Sequence, residues 1–265
     1  MHYLIQENTF REQNYNLIFD TINKMGLPYN VVKIFPYIDK ICDINDIPDY
    51  PYDVDDIPEL KVDSEHIFIF GAIKLARISK QKNWYPGSLL NDNHNFEVYK
   101  NYYKSNLLNY NSLIVDVNDK LDWSSHRLFL RPTLDNKKFT GKAFTEDEWK
   151  LLLNNSDDFE NFKIQVSTVK NIQKEIRFWV VGGKVITGSQ YRLGNRVAYN
   201  ALYDDDALKF AQDMVDIYQL AEAFVIDICL SDDEWKIVEC GCINSAGFYL
   251  CDIQKLITSL EDYFG

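Results

Sequence analysis

The chain has 265 residues, of which 46% are hydrophobic and 14% aromatic, and its formal net charge at pH 7 is -12. This length favours two lobes that share a cleft over one compact core, and the composition is that of a globular protein rather than a disordered one. The acidic balance disfavours nucleic acid as a partner, because affinity for a phosphate backbone depends on clustered lysines and arginines.

The sequence also bears on the compartment of the protein. The start MHYLIQENTFREQ lacks the basic segment and apolar run of a secretion signal, and no run approaches the roughly 18 apolar residues of a membrane span. Four of the five cysteines lie within 23 residues, which is not typical of a secreted disulfide framework. We therefore expect a soluble, cytoplasmic protein without a membrane partner.

The first 110 residues have the pattern of an α/β domain. A strand at HYLIQ precedes a helix with Ile18, Ile22 and Met25 on one face, and VVKIF forms the next strand. An acidic, proline-bearing connection at residues 43–59 leads to the apolar strand HIFIFGA. A tyrosine-rich stretch before residue 110 favours an amphipathic helix, and we place the domain boundary after it.

Residues 111–265 change character and are predicted to form antiparallel sheets. Short alternating strands, such as HRLFLRP, KIQVSTV and EIRFWVV, are separated by turns, notably Gly182-Gly183. A helix at residues 206–222 with an apolar stripe follows. Two apolar strands, FVIDICL and WKIVECG, are joined by the polar turn SDDE and lead to a last helix.

Two carboxylates interrupt the apolar strands near the carboxyl terminus. Asp227 and Glu239 are each costly to bury without a cation or hydrogen-bond donors. With the amide oxygen of Asn244, they form a set of hard oxygen ligands that suits Mg²⁺ carried by nucleotide phosphates. A structural role, in which each carboxylate caps a turn or pairs with an arginine, accounts for the spacing equally well.

A shared metal requires both carboxylates on one face of the hairpin. If Asp227 lies opposite Glu239, a regular ladder pairs Ser231 with Trp235 and leaves a three-residue loop. A two-residue loop instead places the carboxylates on opposite faces, unless a bulge intervenes. We therefore expect the three-residue loop.

Two basic clusters are candidates for binding anions. In FLRPTLDNKKFTGKAF, Arg131 follows an apolar strand and three lysines surround Gly141, where the backbone can approach phosphate closely. In EIRFWVVGGKVITGSQYRLGNR, Arg177 and Arg192 can bind phosphate or carboxylate in a bidentate manner. Solvated hairpin tips and structural ion pairs, for example with Glu175, are the alternative interpretation.

The order of these motifs resembles the ATP-grasp superfamily. FLRP is followed by KxFTGK, ExRFWVVGGKV, the VID strand and VECGCINSAG, and the chain is particularly similar to the phage and bacterial clade characterised by two arginines and a lysine. HYLIQEN, WYPG and LLNYNS resemble the amino-terminal part of that clade. The resemblance implies an α/β (α+β) fold, in which an amino-terminal α/β domain (1–110) precedes two antiparallel-sheet lobes (111–265) that enclose a nucleotide cleft.

The resemblance also implies that ATP and Mg²⁺ are the cofactors, and it suggests roles for individual residues. Lys138 corresponds to the phosphate-contacting lysine, with Lys163 as a second candidate. The other cofactor-binding candidates are Glu175 and a hinge whose backbone contacts adenine, formed by Gln165, Val166, Ser167 and Thr168. The catalytic candidates are the arginines that match the clade, namely Arg131, Arg177 and Arg192.

The metal ligands implied by the resemblance are Asp227, Glu239 and Asn244. The sequence departs from the superfamily here, because the asparagine expected two residues after the metal-binding glutamate is replaced by Gly241. We expect Asn244 to take its place from a longer loop.

The resemblance implies a carboxylate-amine ligase. In that reaction ATP phosphorylates a carboxylate, an amine attacks the acyl phosphate, and an amide or peptide bond forms with release of ADP and phosphate. Its partners are small-molecule or peptide carboxylates and amines, in the host cytoplasm if a phage encodes the chain. A phosphotransferase acting on a hydroxyl group is one alternative. A nucleotide-binding module without catalysis is another, and Gly241 supports it.

Overall fold

The computed structural model describes residues 1–7, 15–35, 40–48, 53–64, 66–134, 139–155 and 162–265. These residues form three β-sheets, which we call the first, small and large sheets. The helices of the described segments are α1 (Leu17–Lys24), α2 (Ile73–Gln81), α3 (Phe96–Tyr103), α4 (Glu146–Asn154), α5 (Asp205–Ile217) and α6 (Ile253–Phe264).

The first sheet has the strand order β3-β2-β1-β4-β5 and is parallel except for β3. Its strands are β1 (His2–Gln6), β2 (Tyr29–Phe35), β3 (Lys40–Asp43), β4 (His66–Phe70) and β5 (Tyr85–Gly87). Residues 67–70 of β4 are all buried, as is usual for a central parallel strand that is covered on both faces. Helix α1 packs through Ile18 and Ile22, so the predicted strand, helix and strand are confirmed.

The small sheet is antiparallel and has the order β6-β9-β7-β8. Its strands are β6 (Leu113–Asp116), β7 (Leu128–Pro132), β8 (Lys142–Phe144) and β9 (Lys163–Thr168). Helix α4 begins with a capping box formed by Thr145 and Glu148, which satisfies the first backbone N–H groups. Trp149 of this helix is buried in a core that belongs to the small sheet alone.

The large sheet is antiparallel and has the order β12-β11-β10-β13-β14. Its strands are β10 (Lys174–Val181), β11 (Lys184–Leu193), β12 (Arg196–Asn200), β13 (Ala223–Ser231) and β14 (Glu234–Cys242). Because side chains alternate along a strand, Phe178 packs under α3 and α5 while Trp179 packs against α6 and the first sheet. The first and large sheets therefore share one core.

The domain boundary after residue 110 stays a prediction. Helix α3 precedes this position, yet Phe96, Tyr99 and Tyr103 pack in the same core as α5 and the large sheet. The tyrosine-rich helix thus contributes to the large sheet rather than to the core of the first sheet.

The hairpin of β13 and β14 differs from the prediction in its turn. Ser231 pairs with Glu234 across a two-residue loop, in which Asp232 and Asp233 have φ angles of 49° and 62°. Positive φ at both positions is the geometry of a tight hairpin turn, so the expected three-residue loop is wrong. An irregularity between residues 227 and 228 then shifts the register, and Asp227 lies opposite Glu239. The shared face is confirmed, through a bulge.

All five cysteines are buried as thiols rather than disulfides, in agreement with their odd number. Among the described residues, no helix combines the length and the apolar character that a membrane crossing requires.

Candidate functional site

A cavity of about 750 Å³ lies between the small and large sheets. Five cationic side chains line it, namely Arg127, Arg131, Lys142, Lys170 and Arg192. Three carboxylates line it as well, namely Glu148, Glu175 and Glu239. The described wall thus has an excess of two positive charges (5 - 3), although the whole chain has a net charge of -12. This local reversal of sign favours an anionic ligand.

Asp227 and Arg177 form a buried ion pair between the neighbouring strands β10 and β13 of the large sheet. Arg177 Nε and Nη2 donate to Asp227 Oδ1 and Oδ2, both at 2.8 Å. The side chains are 12% and 2% exposed, respectively. The two residues are directly opposite on β10 and β13, which explains the bidentate contact.

Burial and charge oppose each other in this pair. Burial raises the pKa of Asp227, and the guanidinium of Arg177 lowers it again in part. Burial alone disfavours the charged form of Arg177, but Asp227 outweighs this effect and holds the arginine pKa well above its ordinary value. Because a guanidinium stays protonated in proteins, we treat the pair as ionised at neutral pH.

A second pair joins Glu175 and Arg192 in the cavity wall. Arg192 Nη1 lies 2.7 Å from Glu175 Oε1, and the hydroxyl of Tyr191 donates to Glu175 Oε2 and, at 3.4 Å, to Asp227 Oδ2. Burial, together with these carboxylates, raises the pKa of Tyr191, so its hydroxyl stays a donor. Tyr191 therefore connects both ion pairs.

The aromatic surroundings of Arg177 were not predicted from the sequence. Its guanidinium carbon lies 5.9 Å from the ring centre of Tyr191 and 5.1 Å from that of Tyr249. Tyr191 and Tyr249 stack on each other at 5.0 Å. The alternation of β11 is the one sequence signal for Tyr191, because it puts this residue near the facing residues of β10; Tyr249 comes from a loop and gives no such signal.

A third pair crosses the cavity between the two sheets. Arg131 Nη2 on β7 lies 2.8 Å from Glu239 Oε2 on β14, and the side chains are 17% and 38% exposed. The structure thus brings together all three predicted arginines and both predicted metal carboxylates, and each of Glu175, Asp227 and Glu239 has an arginine partner.

Asn244 is not placed with these carboxylates, which corrects the expectation that it joins the metal ligands. Its amide nitrogen donates to the carbonyl oxygens of Ile69 and Gly87, and its side-chain oxygen accepts from the backbone N–H of Leu89 at 2.7 Å. The side chain is buried and joins the end of β14 to β4 and β5. Asn244 lies two residues beyond the end of β14, and its side chain contacts the first sheet.

We therefore expect Asn244→Ala to lower the free energy of unfolding by about 2–4 kcal/mol, because the buried backbone groups lose their partners. The metal affinity measured with ATP present should change little. Chemical denaturation and metal titration test this, with Asn200→Ala as a control, since Asn200 is an exposed asparagine that accepts from one backbone N–H. Loss of metal affinity without loss of stability would return Asn244 to the metal site.

The cofactor-binding candidates fall in several places. Lys138 lies outside the described residues. Gln165–Thr168 lie within β9, where their backbone pairs with β7, and the cavity wall is formed by the chain that follows, at Val169, Lys170 and Ile172. Lys163 is at the opposite end of β9 and is not among the described lining residues. Lys142, one of the three lysines of the predicted basic cluster around Gly141, does line the cavity, although the resemblance assigned it no role.

The donor set fits a metal that arrives with phosphate. Within the described segments, no cluster of three or more histidine, cysteine, aspartate or glutamate side chains is arranged to hold a metal. Asp227 and Glu239 nevertheless lie directly opposite each other. Mg²⁺ commonly takes one or two carboxylates and completes its shell with water and substrate phosphates, so two such oxygen ligands would suffice.

Comparison with known proteins agrees with this geometry. Residues 44–260 match the model of an ATP-grasp domain, namely family 3 of the clade with two arginines and a lysine. No curated protein matches the chain. Among the solved structures similar to it are the ATP-grasp ligase PsnB complexed with a minimal precursor, the D-cycloserine synthetase DcsG, and the D-alanine–D-alanine ligase of Bacillus anthracis complexed with ATP.

All three structures are similar over nearly their full length. For PsnB the TM-score is 0.57 at 10% identity, and the alignment covers 100% of this chain and 99% of that chain. For DcsG the TM-score is 0.61 at 9% identity, and the alignment covers 100% of this chain and 99% of that chain. For the D-alanine–D-alanine ligase the TM-score is 0.55 at 12% identity, and the alignment covers 99% of this chain and 97% of that chain. Such likenesses show the fold, which is the ATP-grasp fold that the sequence predicts.

Proposed function

The chain belongs to the clade of ATP-grasp domains characterised by two arginines and a lysine, and from this premise we propose that it is an ATP- and Mg²⁺-dependent ligase that joins a carboxylate to an amine. The observation that carries the proposal is the cavity between the two antiparallel sheets, whose wall combines excess positive charge with the carboxylate of Glu239. Asp227 lies directly opposite Glu239 on the neighbouring strand. The ligases among the similar structures support the same class of reaction.

We place the nucleotide base at the apolar side of the cavity and the phosphates at its charged side. Leu108, Phe129, Val169 and Ile172 offer apolar surface for a base. The segment after β9 has left the ladder, so its backbone groups can form hydrogen bonds with the base edge. This assignment moves the proposed adenine contact from Gln165–Thr168 to the residues that follow.

The charged side of the cavity has the groups that a triphosphate requires. Arg131, Lys142 and Arg192 supply cationic donors within the described wall, and charged donors to phosphate oxygens form strong hydrogen bonds. Asp227 and Glu239 would hold Mg²⁺, which when bound offsets charge on the phosphates. Arg177 then acts on Asp227 rather than on the substrate, because two of its donors are engaged by that carboxylate. This revises its predicted catalytic role to a positioning role.

The proposed reaction has two transfers. First, an oxygen of the acceptor carboxylate attacks the terminal phosphorus of ATP, the bond to the bridging oxygen breaks, and ADP leaves. Second, the amine attacks the acyl carbon, phosphate leaves with the bonding electrons, and the nitrogen loses a proton to give the amide. The protein needs no nucleophilic side chain. Its contribution is orientation of the reactants and stabilisation of the negative charge that spreads over the phosphoryl oxygens.

The test is a screen for ADP release with amino acids and short peptides as acceptors, in the presence and absence of hydroxylamine. Hydroxylamine intercepts an acyl phosphate as a hydroxamate, so we expect hydroxamate to form in proportion to ADP. Glu239→Gln is the control for activity that does not depend on the site. Turnover that yields a stable phosphoester and no hydroxamate would replace the ligase by a phosphotransferase acting on a hydroxyl group.

A further inference from the structure

The ion pair of Arg131 and Glu239 connects the two walls of the nucleotide cavity. Arg131 comes from β7 of the small sheet and Glu239 from β14 of the large sheet, and their atoms approach to 2.8 Å. Glu239 is one of the two carboxylates that we assign to the metal. The same carboxylate is thus paired with a cation of the protein.

We propose that Arg131 occupies Glu239 in place of the metal and exchanges it for nucleotide phosphate, so that metal and nucleotide bind as one unit. The proposal rests on the ATP and Mg²⁺ site described above and adds a coupling between the two ligands. The metal alone meets a carboxylate that is already paired, and only phosphate gives Arg131 an alternative anion.

The charge distribution supports the exchange. Glu175, Asp227 and Glu239 each have a guanidinium partner, so the three carboxylates present no excess negative charge to a free divalent cation. An incoming metal must therefore displace an arginine, which leaves a cation without its anion and is costly. MgATP avoids this cost because it brings the replacement anion together with the metal.

Differences in burial identify which pair can exchange. The side chains of Arg177 and Asp227 are 12% and 2% exposed, so separating them would leave a buried charge without a partner. Glu239 is 38% exposed and lines the cavity, where water and phosphate can reach it. The exchangeable partner is therefore Arg131, which lines the same cavity.

The exchange predicts strong coupling between the two ligands. Nucleotide should raise the affinity for metal, and metal should raise the affinity for nucleotide by the same factor, because coupling free energies are reciprocal. Removing Arg131 should weaken this coupling, because the metal then no longer has to displace a guanidinium from Glu239.

The experiment measures binding of Mn²⁺, as a paramagnetic substitute for Mg²⁺, to the full chain without nucleotide. We expect Arg131→Gln to tighten Mn²⁺ binding about tenfold, since a charge-assisted hydrogen bond that need no longer be broken is worth at least this factor. Arg131→Lys, which keeps the charge but loses the planar fork, should have a smaller effect in the same direction. Adding Glu239→Gln to Arg131→Gln should abolish the gain.

Arg127→Gln is the matched control. Arg127 lines the same cavity and carries the same charge, but it donates to the carbonyl oxygen of Ala143. An equal gain in both single variants would show a general effect of positive charge and overturn the exchange, as would an unchanged Mn²⁺ affinity in Arg131→Gln and Arg131→Lys. Stabilisation of the wild type by MgATP is measured separately, so that failure of nucleotide binding is distinguished from failure of the exchange.

Discussion

Replacement of Arg177 by alanine is expected to lower the free energy of unfolding by about 3–5 kcal/mol at neutral pH, because it leaves the carboxylate of Asp227 buried without its cation. Asp227 is 2% exposed and receives two hydrogen bonds from this guanidinium. Urea denaturation of wild type and variant measures the difference. The arginine motif alone does not predict this loss of stability, which follows from the buried contact with Asp227.

The loss should depend on pH in a defined direction. Burial already raises the pKa of Asp227 and Arg177 opposes the rise, so removal of the arginine raises the folded-state pKa further above the unfolded value of about 3.9. The folded variant then binds more protons than the unfolded chain, and its stability falls as the pH rises through this interval. The deficit relative to wild type should therefore be larger at pH 8 than at pH 5.

A double variant separates the buried charge from the lost packing. Arg177→Met combined with Asp227→Leu replaces the pair by apolar groups, which is often neutral for stability, and should recover most of the loss while it abolishes metal-dependent nucleotide binding. If Arg177→Ala is as stable as wild type at neutral pH, the ion pair does not stabilise the fold as described. If the double variant still binds MgATP, Asp227 is not a metal ligand.

The second large effect concerns ligand binding at Glu239. MgATP is expected to stabilise the wild type by about 2.7 kcal/mol at a hundredfold excess over its dissociation constant. For a chain of this size that corresponds to a rise in melting temperature of roughly 5–10 °C. Glu239→Gln should remove most of the rise, because a neutral amide is a poor ligand for Mg²⁺.

Glu148→Gln provides the matched control for this measurement. Glu148 also lines the cavity, but it belongs to α4 and its carboxylate lies 3.8 Å from Lys142. The variant has the same change in charge and should keep the MgATP-dependent rise. A wild type that is not stabilised by any adenine or guanine nucleotide would contradict the nucleotide site itself. Equal losses in both variants would contradict the specific role of Glu239.

Local patterns were sufficient to predict most of the elements. The alternation of EIRFWVV and the apolar runs around Asp227 and Glu239 reflect the burial of the large sheet, whose two faces are both covered. The opposed positions of the two carboxylates were also predicted. The predicted length of the turn was wrong, because a bulge beside Asp227 changes the register by one residue. The spacing of the hairpin in the sequence does not reveal where such an extra residue is inserted.

The contacts of the site residues were harder to predict, because they depend on elements far apart in the sequence. Asn244 was expected at the metal, but its hydrogen-bond partners come from β4, β5 and the segment after β5. The partner of Glu239 comes from β7, more than a hundred residues earlier. Sequence patterns give the face of a strand on which a residue lies, whereas the identity of its partner is decided by how the sheets assemble.

The distribution of hydrophobic cores has a mechanical consequence. The first and large sheets share a core that includes Phe68, Trp179 and Phe248, and Asn244 adds hydrogen bonds between them, so these two sheets should move together. The small sheet has its own core around Trp149. Opening of the cavity should therefore be a swing of the small sheet as a lid, with the pivots in the segments that precede β6 and follow β9.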